Sequence, residues 1–209
     1  WVPWFTVYIH SVAAAYITII YSLIMDGLFF VLVTNICINF SILSNDILKL
    51  KENNFRNIND CIRTHQYLIK LSEELNDIFE APNFFNVLFG ALQICALGFC
   101  ITAGDWSLVP AYLLFLSTVI VKLWTTSYFG EKLVEKSTEV NEAILNVDWY
   151  EADLKIQKTI LLIIARSQQP QRLTAYMFST VCISSFSKIM SNSWSYFSIL
   201  RSAYQKPEG

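Results

Sequence analysis

Charge is what this sequence lacks. Only 15% of its residues are charged, against 54% hydrophobic and 15% aromatic, and the mean hydropathy is +0.42. Soluble domains carry about a quarter charged residues, so the composition points to a multi-pass membrane protein. A net charge of −2 gives no electrostatic footprint for nucleic acid, and none is expected as a partner. Cysteine is sparse and scattered. Cys37, Cys61, Cys95, Cys100 and Cys182 form no CxxC pair and have no histidine at ligand spacing, so no metal is expected. His10 and His65 fall on different predicted elements, and no HExxH, GxSxG or Gly-rich phosphate loop occurs. An enzyme is therefore not expected, and no cofactor is implied. Inverted repeats and midplane helix breaks, the marks of a transporter, are also missing. There is no secretory signal, and the first residue is Trp1 rather than Met, so the chain reads as part of something longer.

What charge there is falls in blocks, and the blocks give the organisation. Residues 1–45 hold a single charge, Asp26, and predict a long transmembrane helix. Residues 46–80 are polar with helical apolar spacing through Ile62, Leu68, Leu71, Leu75 and Ile78. Residues 81–104 carry no charge and are long enough to span, 105–107 make a turn, and 108–129 form a further apolar run. Residues 130–172 are polar again, with an apolar helical face through Leu133, Val140, Ile144, Ile156, Ile160 and Ile163. A last helix is expected over 173–203, with a tail at 204–209. Basic residues concentrate in 46–80 and 130–172, whereas 105–107 has none. The positive-inside rule therefore places both polar stretches in the cytoplasm and the turn and C-terminus outside.

The last helix has one wet face. From Leu173 to Leu200 its sole charge is Lys188, and 28 residues of helix would be about 42 Å long, beyond the roughly 30 Å of bilayer hydrocarbon. Ser185, Lys188, Asn192, Ser195, Ile199 and Ser202 recur at steps of three and four, with Phe186, Met190, Trp194 and Phe197 opposite. Hydrocarbon does not accept a polar stripe, so that face must meet protein or water, which suggests a pore. Asp26 would cost roughly 2.5–3.5 kcal/mol if charged at a helix centre, so a hydrogen-bonding partner on a neighbouring helix is expected.

Four stretches carry a family likeness: Asp26-Gly27-Leu28-Phe29; His65-Gln66-Tyr67-Leu68 leading to Glu74-Leu75-Asn76-Asp77-Ile78-Phe79; Gly130-Glu131-Lys132-Leu133 with Ser137 and Trp149-Tyr150; and Ala165-Arg166-Ser167-Gln168-Gln169-Pro170 through Thr174-Ala175 to Ser195-Tyr196-Phe197-Ser198-Ile199-Leu200-Arg201. In this order and spacing the chain resembles the insect odorant receptors. Gustatory receptors are their nearest relatives, but those tend to end in a Thr-Tyr…Gln-Phe signature that the chain lacks. The resemblance implies an all-α, polytopic membrane protein: the last four transmembrane helices of a seven-helix, odorant-receptor-type channel subunit with cytoplasmic helical extensions.

It further implies a ligand-gated, non-selective cation channel of the plasma membrane that detects volatile small molecules with a co-receptor, as a heterotetramer. The alternatives are a gustatory-receptor-type channel, a non-conducting ligand-binding subunit and, behind these, a transporter. The family's final helix lines the pore, and Ile199 and Ala203 match its apolar constriction, with Asn192 and Ser195 on the wet path before it. Ala203 departs from a bulky gate residue. The ligand is a small apolar molecule, so its pocket needs aromatic and aliphatic walls. The candidates in the outer halves of two helices are Tyr16, Ile17, Ile20 and Tyr21, then Tyr112 and Phe115, the last two spaced to face alike.

Overall fold

The computed structural model describes residues 2–50, 55–103, 106–176 and 179–204. Among these, five α-helices carry nearly everything: α1 (Val2–Leu48), α2 (Ile58–Ala103), α3 (Val109–Leu145), α4 (Leu154–Ser167) and α5 (Ile183–Tyr204). A 3-10 turn occupies Trp149–Glu151. Between α4 and α5 lies a short antiparallel hairpin of β1 (Thr174–Ala175) and β2 (Ser179–Thr180), with Thr174 opposite Thr180 and Ala175 opposite Ser179.

The 47 residues of α1 make a rod about 70 Å long, more than twice the hydrocarbon thickness, so much of it stands outside the bilayer. Burial shows which part packs within the chain. No side chain from Trp4 to Leu28 is buried, whereas Phe29, Val33, Ile36, Phe40, Leu43 and Ile47 recur every three or four residues and all are. They form one core with Leu68, Leu75 and Phe79 of α2, Leu133, Val140 and Ile144 of α3, Ile160 of α4, and Leu173, Ala175 and Val181 of the hairpin segment. The large core thus gathers one end of α1, α2 and α3, and towards the other end α2 keeps contact with α3 at Gly90 and Leu123 and with α5 at Gly98 and Phe197.

Three helices, α1, α2 and α3, are long and apolar enough to cross a membrane among the described residues, yet only 11% of the most apolar window of each is buried within the chain. The exposed apolar side chains are therefore matched to lipid or to other protein, not to this chain's own core.

Several boundaries differ from expectation. Residues 46–80 and 81–104 are not separate elements: α2 runs unbroken through Pro82, although proline lacks the N–H that would bond the Ile78 carbonyl. Packing on both sides of Pro82, with Phe79 and Asn83 each buried, holds the helix together. Likewise α3 unites 108–129 with the first third of 130–172, and Pro110 sits in its first turn, where a missing N–H is harmless. The last helix starts at Ile183 rather than 173, because Thr174–Ala175 and Ser179–Thr180 are spent on the hairpin strands. Its 22 residues make about 33 Å, close to one bilayer, but eight are serine, and it does not reach the apolarity of the other three. Of the expected turn, Trp106 and Ser107 are seen and exposed, while Gly104 and Asp105 lie outside the described residues, as do 205–209.

Candidate functional site

Two charges set inside apolar helices find each other. Lys122 Nζ of α3 lies 2.9 Å from Asp26 Oδ2 of α1 and donates to Ser22 Oγ at 3.0 Å, while Ser22 Oγ donates to Asp26 Oδ2 at 3.4 Å. Alone, each charge would be costly in hydrocarbon. Paired, they present no net charge and leave one of the three ammonium donors uncommitted. The expected partner for Asp26 is thus a cation. Two opposite charges in separate apolar runs, Asp26 within 1–45 and Lys122 within 108–129, are a sequence signal that they belong together.

The pair borders a cavity of about 260 Å³ between α1, α2 and α3. Tyr21, Met25, Phe29, Phe79 and Pro82 give it apolar walls, and Thr18, Ser22, Asn83, Asn86 and Thr126 add polar groups to the ion pair. A second cavity of about 220 Å³ shares Asn86 and Lys122 and continues along α2 and α3 past Phe85, Phe89 and Gln93. Asn83 is only 3% exposed, and its Nδ2 has no hydrogen-bond partner among the described residues. Buried amide donors are normally satisfied, so the wall holds a donor in reserve beside the ion pair. Apolar walls with a few placed polar groups are what a site for a small, mainly apolar molecule requires.

At the packed end, burial pushes the His65 imidazole pKa down to about 4, helped by the nearby Arg166 guanidinium, so this residue is neutral at physiological pH. Arg166 itself bridges α4 to Glu73 of α2 at 3.3 Å.

The helix α5 packs against α2 through a narrow strip. Ser193 and Phe197 are buried, the Phe197 ring lies where Gly98 has no side chain, and Cys95 Sγ donates to the Ser193 carbonyl at 3.5 Å. The model of the 7tm odorant receptor family matches residues 1–194. The chain belongs to that family.

Membership in that family, with three helices long and apolar enough to cross a membrane, makes this a multi-pass, all-α membrane protein. The chain is 28% identical over 199 residues to odorant receptor 67c of Drosophila melanogaster, covering 91% of this chain and 48% of that protein. It is also 28% identical over 185 residues to odorant receptor 85b of the same fly, covering 86% and 47%. It therefore spans about half the length of the curated relatives it matches. Its fold is that of the insect olfactory receptor OR5 from Machilis hrabei in complex with eugenol, with a TM-score of 0.77 at 18% identity, over 86% of this chain and 48% of that one.

Within the receptor, the residues singled out from sequence divide into three groups. Tyr21 lines the cavity beside the ion pair. Tyr16, Ile17, Ile20 and Phe115 are all more than half exposed on α1 and α3, and Tyr112 is half-buried. On α5, Lys188, Asn192, Ser195, Ile199 and Ser202 all stand on the chain's surface, so five of the six stripe positions share an open side. The sixth, Ser185, turns inward to Cys182 Sγ at 3.3 Å. The opposite stripe is interrupted, since Trp194 is 70% exposed. The small side chain of Ser193 takes the position against α2 and brings the backbones close. The Ala203 side chain lies outside the described residues.

Proposed function

We propose that the chain is the C-terminal part of an insect odorant-gated, non-selective cation channel subunit, working in the plasma membrane with a co-receptor in a heterotetramer. The observation that carries this reading is the open side of α5. A membrane helix that buries Ser193 and Phe197 against its own bundle and leaves Asn192 and Ser195 uncovered needs water or other subunits on that side. Assembly of several subunits around a shared axis supplies both. Asn192 and Ser195 then line a hydrated path, and Ile199 with Ala203 forms an apolar ring that blocks ions by dewetting until the helices tilt. Lys188, exposed one turn before Asn192, borders a wide vestibule. In this reading residues 46–80 and 130–172 are cytoplasmic and the C-terminus is extracellular.

The ligand is a small volatile molecule, a class supported by the eugenol held in the similar OR5 structure. Its walls come from Tyr16, Ile17, Ile20, Tyr21, Tyr112 and Phe115, together with segments of the receptor beyond this chain. The cavity at Asp26 and Lys122 is the polar end of that region. Current recording from the full-length subunit with a co-receptor, over a panel of volatiles, tests the proposal. Odorant-evoked cation currents are expected, and Ile199→Ala should raise the basal leak. Receptors that reach the surface yet carry no current under any stimulus would leave a non-conducting binding subunit instead.

A further inference from the structure

The segment joining α4 to α5 is held far more tightly than a connecting loop requires. Side chains of two other helices satisfy its backbone amides. Gln171 N–H donates to Ser137 Oγ at 3.0 Å, Thr174 N–H to Asn76 Oδ1 at 2.6 Å, and Ile183 N–H to Glu131 Oε2 at 3.2 Å. The strap closes on itself as Val181 N–H donates to the Leu173 carbonyl at 2.8 Å, and Leu173 and Ala175 are fully enclosed. At Gly130 a Cβ would lie 2.0 Å from the Val181 carbonyl oxygen, so α3 and the strap meet backbone to backbone and only glycine fits.

The contact at Ile183 differs in kind from the others. Ile183 opens α5, and the first amides of a helix have no partner inside it. Here one partner comes from another helix, and it is a carboxylate, the charge that the positive end of the helix dipole favours. Glu131 sits one residue after Gly130 and nine after Lys122, an axial distance of about 14 Å on one continuous helix. Asn83, Asn86 and Thr126, which line the charged cavity, also line a small gap against the strap and the start of α5. The cavity and the root of α5 are thus two stations on the same stretch of α3.

We infer that Glu131 is the pin that fixes the first turn of α5 to α3, so that a displacement of α3 at the cavity reaches α5 through the strap. The inference rests on the reading of α5 as the pore helix. Glu131 is a positioning residue: it touches neither ligand nor ion, and sets the angle from which α5 starts.

Two measurements on the full-length receptor test it. In purified protein, Glu131→Ala should speed amide hydrogen exchange at Ile183 at least tenfold. Glu131→Gln, which keeps an acceptor oxygen without the charge, should give a smaller increase, and Gly130→Ala should expose Val181 and Ile183 together. In cells expressing the receptor with a co-receptor, Glu131→Ala should change the ligand-free basal current at least threefold at equal surface level, whereas Glu135→Gln, one turn further along α3, should not. Unchanged exchange at Ile183 overturns the pin. Faster exchange with an unchanged basal current overturns the coupling. Should the alanine variant fail to reach the surface, Glu131→Gln takes its place under the same two criteria. A wild-type receptor that never conducts sinks the channel reading and the coupling with it, while the exchange measurement still decides whether Glu131 caps α5.

Discussion

The two ends of this bundle differ in composition and in what holds them: the runs at one end are almost free of charge, while charges cluster in 46–80 and 130–172 at the other. At one end, Tyr16 and Ile17 are 66% and 69% exposed, and the helices touch through an ion pair and a few apolar contacts. At the other, Val33, Phe40, Leu133 and Val140 are completely enclosed in a core built from four helices and the strap. The first end is shaped for partners this chain does not contain, whether lipid, ligand, other segments of the receptor or other subunits. The second end stabilises itself. A chain built this way has one closed core and one end whose exposed apolar faces are left to other partners.

The comparison can be broken by mutation. Phe40→Ala in the full-length receptor should lower thermal stability most, by about 3–5 kcal/mol, because it leaves a cavity in a closed core. Equal loss from Ile17→Ala, measured in detergent or nanodiscs, would erase the difference between the ends. Acidification should act on the packed end too. His65 has a folded pKa of about 4 against an ordinary 6.5, so the unfolded chain binds more protons between those values. Its contribution is therefore fully present above pH 6.5 and is lost as pH falls towards 4, by up to about 3 kcal/mol. His65→Leu should flatten that part of the pH–stability curve, and an unchanged slope would assign the acid sensitivity elsewhere.

In the open end smaller stability effects and larger functional ones are expected. Asp26→Asn strands the Lys122 ammonium in the cavity and should cost about 1–2 kcal/mol while shifting ligand potency. Lys122→Met in the same background should restore stability, and a double variant no better than the single one would show that the pair is not the relevant contact. Ile199→Ala and Tyr112→Ala should change stability by less than about 1 kcal/mol. The first is read as basal leak and the second as an altered odorant profile without loss of assembly. An unchanged leak or an unchanged profile would remove that residue from the gate or the pocket.

Much of this is legible in the sequence, because hydropathy and helical spacing are local properties. The scarcity of charge points to a membrane protein, and along the polar stretches the expected helix faces bury Leu68, Leu75, Leu133, Val140, Ile144 and Ile160, whereas Ile78, expected on the same face, is 65% exposed. Ser195, Asn192 and Ile199 fall on one side of α5 as their spacing requires. The hairpin is not legible, because its residues, Thr174–Ala175 and Ser179–Thr180, sit in an apolar run that reads as helix. What forces them out of helix is non-local: Asn76 captures the Thr174 amide, and Gly130 lets the Val181 carbonyl against α3. Pro82 reads as a boundary because the local cost of proline in a helix is high, and it is tertiary packing that carries α2 through.

By itself, then, the amino-acid order determined that the chain is helical, that it suits a bilayer and where its three long apolar runs lie, since those follow from each residue's own side chain and its near neighbours. Only the tertiary structure decided that Lys122 answers Asp26, that Asn83 is buried beside them, and that Glu131 holds the first turn of α5. Those contacts join residues about 50 to 100 positions apart, and no local preference records which of many possible partners the folded bundle will bring within hydrogen-bonding distance.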